Sequence, residues 1–168
     1  NHSGDYGPLA LQEMLDRLQH AGIAYTGVGY NRADAATPAY VRVGDTVVAF
    51  VGADLTIAKR FRATEDAAGS LWLPGLQRPR IDQVVLELRA IQRAARKHAH
   101  VVVLTPHWGD NFRSAPSPHI RKLGRMLIRK AGYDAILGHS AHELQGVELV
   151  DGKPIVYDAG NLLLDFNG

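Results

Sequence analysis

Asp134-Ala135-Ile136-Leu137-Gly138-His139-Ser140-Ala141-His142 is the stretch whose reading decides the fold. The apolar run Ala135–Leu137 reads as a short buried strand, which puts both histidines on the loop at its carboxyl end. In an open α/β sheet, ligands bind at that edge. Two neutral imidazoles three positions apart on a turn face one point or two adjacent points, and imidazole is a common metal ligand. A His-x-x-His pair by itself is usually structural or merely exposed. Its meaning depends on what the other strand ends supply.

The preceding unit supplies a partner. Val101-Val102-Val103-Leu104 reads as a buried strand and runs into Thr105-Pro106-His107-Trp108-Gly109-Asp110. Ser117-Pro118 is an N-cap followed by Pro at the first helical position. The helix it opens carries Ile120, Leu123, Leu127 and Ile128 on one stripe and stops at Gly132. Strand, helix and strand make a βαβ unit with parallel strands and a right-handed crossover. Both carboxyl ends then lie at one edge, so His107 is expected to converge with His139 and His142. Donors of nitrogen and oxygen without thiolate suit Zn, Mn or Fe.

Outward from this unit, Val147–Val150, Asp151-Gly152 and Pro154–Tyr157 read as a hairpin with an Asp-Gly turn. Asp158 caps the turn that follows, Asn161 lies near the same edge, and Leu162–Leu164 is expected to form a short final strand. Upstream, Ile81, Val84, Val85, Leu88 and Ile91 mark a helix running to about Lys97. His98 and His100 at its end suit the helix dipole. Asp54 to Arg80 reads as a long irregular loop. Tyr40–Val43 and Thr46–Val51 read as a hairpin, with a helical turn possible between Asn31 and Pro38. Pro8 opens a helix with Leu11, Leu15 and Leu18 inward, ending at Gly22; Ile23–Gly29 is expected to be a strand.

The chain of 168 residues is long enough for one domain with a sizeable core, and 46% apolar and 21% charged residues are ordinary for a globular protein. The formal net charge is +2, and no basic stripe is interleaved with aromatics, which disfavours nucleic acid as a partner. Cysteine is absent, which excludes disulfides and thiolate metal sites. The sequence holds no signal peptide and no apolar run of the roughly 18 residues that span a bilayer.

Asn1-His2 with Asp5-Tyr6-Gly7, His107-Trp108-Gly109, Gly138-His139-Ser140-Ala141-His142 with Leu144-Gln145-Gly146, and Gly152-Lys153-Pro154-Ile155 leading to Gly160-Asn161 follow one another in order. This series resembles the bacterial capsule-synthesis (poly-γ-glutamate synthesis, CapA-type) proteins, a branch of the calcineurin-like metallophosphoesterases. The resemblance covers nearly the whole chain. It implies an α/β fold, a mixed sheet with flanking helices forming most of an αββα sandwich, with residues 1–168 as a single domain incomplete at its N-terminal side.

By the same resemblance, Asn1, His107 and His139 would share one divalent metal (Mn, Zn or Fe) and His142 would bind a second. His2, oriented by Asp5, would act catalytically beside the substrate. Trp108 is expected to wall the pocket and Asn161 to support substrate binding. Arg113, Ser114 and Ser117 are read as a solvated loop, and His20 and His119 match no motif. The family's bridging carboxylate and first metal motif are expected upstream of Asn1, so another segment or chain would complete the site; alone, the chain is expected to be a poor dinuclear enzyme. Asn111 stands where many relatives carry Glu.

The function implied is metal-dependent hydrolysis of a phosphoester in capsule or poly-γ-glutamate metabolism, with an anionic polymer or phosphoester as substrate. The alternatives are a non-catalytic, polymer-binding component of a synthesis or export complex, and hydrolysis of an amide in the polymer. The family is often held at the cell surface or membrane; the residues themselves leave the compartment open.

Overall fold

The alternation of apolar runs with amphipathic helices builds a mixed six-stranded sheet. The structure, a computed structural model, describes residues 2–56, 61–74 and 80–161. In chain order the elements are α1 (Gly7–His20), β1 (Val28–Gly29), α2 (Arg32–Ala35), β2 (Ala39–Val43), β3 (Thr46–Asp54), β4 (Gly69–Ser70), α3 (Ile81–Arg96), β5 (Val101–His107), α4 (Pro118–Met126), β6 (Ala135–Leu137), β7 (Val147–Val150) and β8 (Lys153–Val156). A π-helical turn, Leu127–Ala131, continues α4 to Gly132, whose φ of 88° ends it.

The sheet order is β2-β3-β5-β6-β8-β7. The four interior strands β3, β5, β6 and β8 are mutually parallel, and the edge strands β2 and β7 are antiparallel additions made by hairpins. The second hairpin turns through Asp151 (φ 53°) and Gly152 (φ 78°), the double positive φ that an Asp-Gly pair adopts most readily. The expected βαβ unit is present: β5 and β6 pair in parallel, Val103 with Ala135 and Leu104 with Ile136.

One face of the sheet is the core. Ala49, Val51 and Ala53 of β3, Val102 and Leu104 of β5, Ile136 and Ile155 pack under the apolar stripes of α3 and α4, from Val84 and Leu88 to Leu123 and Leu127. Burial of such side chains supplies about 1.5–3 kcal/mol each before chain entropy is counted. The other face is also apolar, and part of it meets solvent. Cross-strand register places Val41, Val48, Val101, and, one step on, Phe50, Val103 and Ala135 on it. Val43, Val147 and Leu149, all on edge strands, are exposed. The described residues thus supply the six-stranded sheet with α3 and α4 packed on one of its faces, and beside it a two-stranded sheet of β1 and β4.

Three expectations are corrected. Ile23–Gly29 is not a strand of the main sheet; only Val28 and Gly29 pair, antiparallel to Ser70 and Gly69 in a separate two-stranded sheet. The reason is a close backbone crossing: Gly27, at φ 77°, lies so near Gly52 that a Cβ on it would meet the Gly52 carbonyl carbon at 2.9 Å. The stretch from Asp54 to Arg80 is not wholly irregular: Leu55, Ala63, Leu71 and Leu73 are core residues, and Asp54 and Trp72 form a parallel bridge. The strand after α3 runs three residues further than its apolar run, so His107 is its last residue rather than part of the loop beyond it. The expected strand Leu162–Leu164 lies outside the described residues.

Candidate functional site

The carboxyl ends of adjacent parallel strands bring three chemistry-bearing side chains into one row. Asp54, the last residue of β3, is the register partner of His107, the last residue of β5. His107 in turn forms a parallel bridge with His139, two residues beyond β6. Register partners share a face of the sheet, with neighbouring strands about 4.8 Å apart. The row continues the apolar face that α3 and α4 leave uncovered.

The two imidazoles meet. His107 Nδ1 and His139 Nδ1 are 3.0 Å apart, with ring centroids 5.0 Å apart and planes inclined at 55°. One of these nitrogens carries the proton of the shared hydrogen bond, so the other is the acceptor. Burial pushes His107 down to about 4, and the neighbouring His139 adds to the shift. Burial lowers His139 as well, against opposing contributions from Asp158, a hydrogen bond to the Thr105 backbone and Asp54. Both rings are therefore neutral near pH 7, the state in which imidazole ligates a metal.

The loop carrying His139 is held from below. Gly138 N–H donates to Val156 O (2.8 Å), His139 N–H to Pro106 O (3.1 Å), and Trp108 N–H to His139 O (2.9 Å). The buried Asp158 carboxylate accepts from Ala141 N–H at 2.6 Å through Oδ2 and from Gly160 N–H at 2.8 Å through Oδ1. It caps its own turn, as expected, and also ties that turn to the histidine loop. Within this loop Ser140 (φ 138°) and His142 (φ 61°) both occupy positive φ, which costs energy for residues with a side chain and is concentrated at functional sites.

His142 makes its direct contacts elsewhere, although its charge is felt at His107. Its Nδ1 lies 3.0 Å from Asn161 Oδ1, Asn161 Nδ2 donates back to His142 O, and its ring stacks on Phe112 at 5.8 Å. His2 and Asp5 are brought together, Nδ1 to Oδ2 at 2.6 Å, on the exposed segment before α1. No hydrogen bond or ring contact among the described residues joins that pair to His107 or His139. Asn1 lies outside the described residues.

Trp108 is not a pocket wall. It is 2% exposed, donates from Nε1 to Tyr157 O at 2.8 Å, and stacks on Tyr157. The reason is strand alternation: His107 points to the open face, so Trp108 turns into the core beneath α4. Ser117 caps α4, accepting from Ile120 N–H, and Arg113 O accepts from Gln145 Nε2. His100 binds the start of β3, its Nδ1 accepting from Val47 N–H at 2.9 Å.

The residue that sequence reasoning missed is Asp54. It is 3% exposed, and its Oδ1 accepts from Thr56 N–H (3.0 Å) and Thr56 Oγ1 (2.7 Å). Its Oδ2 has no hydrogen-bond partner among the described residues. The signal was available: an acidic residue ends the apolar run Val47–Ala53, the same position on its strand that His107 occupies on the next.

The donor set fits a cation in part. Two nitrogens each about 2.1 Å from one metal stand about 3 Å apart when they bind side by side at a right angle. The His107–His139 spacing has that value, and an orphaned carboxylate oxygen lies in the same row. Among the described residues, no three His, Asp or Glu side chains converge as a finished cage. No described helix is long and apolar enough to cross a membrane.

Comparison with known proteins accords with the motif series. The family model described as bacterial capsule synthesis protein PGA_cap matches residues 1–166. The PGA biosynthesis protein CapA of Bacillus subtilis is 30% identical over 166 residues, covering 98% of this chain and 41% of that protein. The capsule biosynthesis protein CapA of Bacillus anthracis is 28% identical over 165 residues, 98% of this chain and 38% of its own length. A probable polyglutamine synthesis accessory protein of Mycobacterium tuberculosis is 30% identical over 172 residues, 100% of this chain and 44% of its length. The chain thus spans about two-fifths of the curated relatives it matches. Among solved structures, the sulfate thiohydrolase SoxB of T. thermophilus, in complex with glycerol, overlaps 73% of this chain and 20% of its own, at TM-score 0.47 and 24% identity.

Proposed function

This chain belongs to the bacterial capsule synthesis protein family, and from that premise we propose that it carries part of a divalent-metal hydrolase centre acting in capsule or poly-γ-glutamate metabolism. The observation that carries the proposal is the His107–His139 pair: two imidazoles kept neutral by burial, 3.0 Å apart, at the carboxyl edge of adjacent parallel strands. His107 and His139 would hold one cation, with Asn1 as a further donor on the motif resemblance. His142, supported by Asn161 and Phe112, would serve a second.

When bound, such metals supply a hydroxide at neutral pH and neutralise charge on the oxygens of a phosphoester. The chain's own residues do the rest. Asp5 engages His2 at Nδ1 and so orients the ring, which leaves Nε2 as the nitrogen that would exchange a proton with a leaving oxygen. Asp158 ties the loop bearing His139 and His142 to the turn after β8, and the backbone bonds between His139 and Pro106 and Trp108 hold it against the end of β5. The substrate proposed is a phosphoester or an anionic polymer.

A second reading has its own observation. Arg121, Lys122, Arg125, Arg129 and Lys130 line one groove along α4 and the turn after it. Two of the five are held by carboxylates, Arg125 by Glu148 and Arg129 by Asp151. Such a surface suits a polymer-binding, non-catalytic component of a synthesis or export complex.

The discriminating experiment is metal content together with turnover of a chromogenic phosphodiester by the full-length protein, with His139→Ala as control. Bound divalent metal and turnover, both lost in the variant, are expected. Turnover that survives His139→Ala overturns the metal mechanism. Tight polymer binding with no turnover favours the assembly role.

A further inference from the structure

We propose that Asp54 is the anionic positioning residue of the His107–His139 cation site, a role that rests on the metal reading above. Three independent observations meet on this side chain. It stands in the row Asp54–His107–His139 by strand pairing, one strand from His107 on the same face. It is 3% exposed, and one of its oxygens has no partner among the described residues. Its other oxygen is clamped by the backbone and hydroxyl of Thr56, which fixes the plane of the carboxylate.

A buried carboxylate oxygen left without a donor is costly, on the scale of the desolvation of a charged group. Native proteins keep such a group where something present in the working state satisfies it. The neighbours offer the chemistry. Asp54 acts electrostatically on both His107 and His139, in each case favouring positive charge at the imidazole. Yet neither ring is hydrogen-bonded to it. A divalent cation on the two neutral imidazoles would bring positive charge into the site and carry water as further ligands. Oδ2 would then have a donor in such water, and its charge would offset part of the cation's. Neither imidazole supplies negative charge, so Asp54 is the residue in the row that does.

The segment paired with the Asp54 backbone belongs to the same device. Asp54 N–H donates to Leu71 O, Leu73 N–H donates to Asp54 O, and Trp72 Nε1 donates to Thr56 O at 2.8 Å. These bonds pin the clamping threonine as well as the strand end. The stretch 71–73 thereby anchors the backbone that carries the carboxylate and the threonine that clamps it.

The test is cobalt(II) and manganese(II) binding to the full-length protein, read by cobalt absorption bands and calorimetric dissociation constants, with folding checked by circular dichroism in chelator. Asp54→Asn keeps the shape and an acceptor for Thr56 but removes the charge. It is expected to weaken binding about 10- to 100-fold, as loss of groups that support metal ligands does, with the cobalt bands still formed at saturation. Thr56→Val, which frees the carboxylate plane, is expected to weaken binding by a smaller factor. His139→Ala is expected to abolish the bands. Asp54→Asn binding within twofold of wild type, while His139→Ala loses the bands, overturns the role of Asp54 and leaves the metal reading intact. Unchanged binding in His139→Ala overturns the metal reading itself. If Asp54→Asn does not fold, Thr56→Val decides: an unchanged dissociation constant there overturns the proposal.

Discussion

The carboxylate of Asp158, just beyond β8, accepts from the backbone N–H of Ala141 at 2.6 Å, and both residues are buried. Seventeen residues apart, they fasten the histidine loop to the next strand end. Asp158→Ala leaves the Ala141 and Gly160 amides without their acceptor. It is expected to cost about 1.5–3 kcal/mol, measured by urea unfolding. Faster hydrogen exchange at Ala141 than at core strand amides accompanies it. Unaltered exchange at that amide would show that the bond does not hold the loop.

Trp108 and Gly138 share one contact. A Cβ on Gly138 would lie 2.2 Å from Tyr157 O and 2.5 Å from Trp108 Nε1. Neither backbone nor a stacked indole can yield that distance cheaply, so Gly138→Ala is expected to destabilise by about 3 kcal/mol. Trp108→Ala, which empties a core site, is expected to cost about 3–5 kcal/mol. Trp108→Phe loses less apolar area but leaves Tyr157 O without its indole donor, for about 1–3 kcal/mol. Thermal or denaturant melts rank the three, and a near-neutral Trp108→Ala contradicts a core role.

The buried histidines make the metal-free protein acid-sensitive. His107 is held near 4, against 6.5 for the free side chain. Between those values the unfolded chain binds the proton that the folded ring refuses. Stability is therefore full above about pH 6.5 and falls as pH drops toward 4, by an amount on the order of 1 kcal/mol once solvent screening is allowed for. His139 shifts in the same direction. The unfolding midpoint in chelator at pH 7 and pH 5 reads this, and His107→Gln is expected to flatten the difference. Equal slopes in both proteins count against it.

Divalent metal is expected to raise the melting temperature. A ligand at 100 times its dissociation constant stabilises the folded state by about 2.7 kcal/mol. His107→Ala and His139→Ala are expected to remove most of that shift. His142→Ala, whose contacts are with Asn161 and Phe112, is expected to spare the tighter binding step. Loss of all binding in His142→Ala would mean that the three histidines serve one cation.

The elements legible in the sequence were those whose signal is local. Val101–Leu104, Pro118 with its Ser117 cap, and Ala135–Leu137 each carry their own periodicity, and together they require the parallel crossover that joins His107 to His139. Trp108 lies in the core although it adjoins His107 and Gly109, because one residue along a strand reverses the face, and its chemistry carries no sign of that. Asp54 escaped because a lone carboxylate before a long connection looks like the start of a loop. Its backbone is paired with Leu71 and Leu73, nearly twenty residues away, a pairing that no local pattern announces.

The sequence by itself determined the strand–helix–strand order, the turns and the family, because periodicity, caps and ordered motifs are properties of short stretches of chain. Only the tertiary structure decided which side chains share a site. The pairing of β3, β5 and the end of β6 sets Asp54, His107 and His139 in one row, and it sends Trp108 into the core. Register across a sheet is fixed by packing of the whole face, and a shift of one residue would turn that row inward.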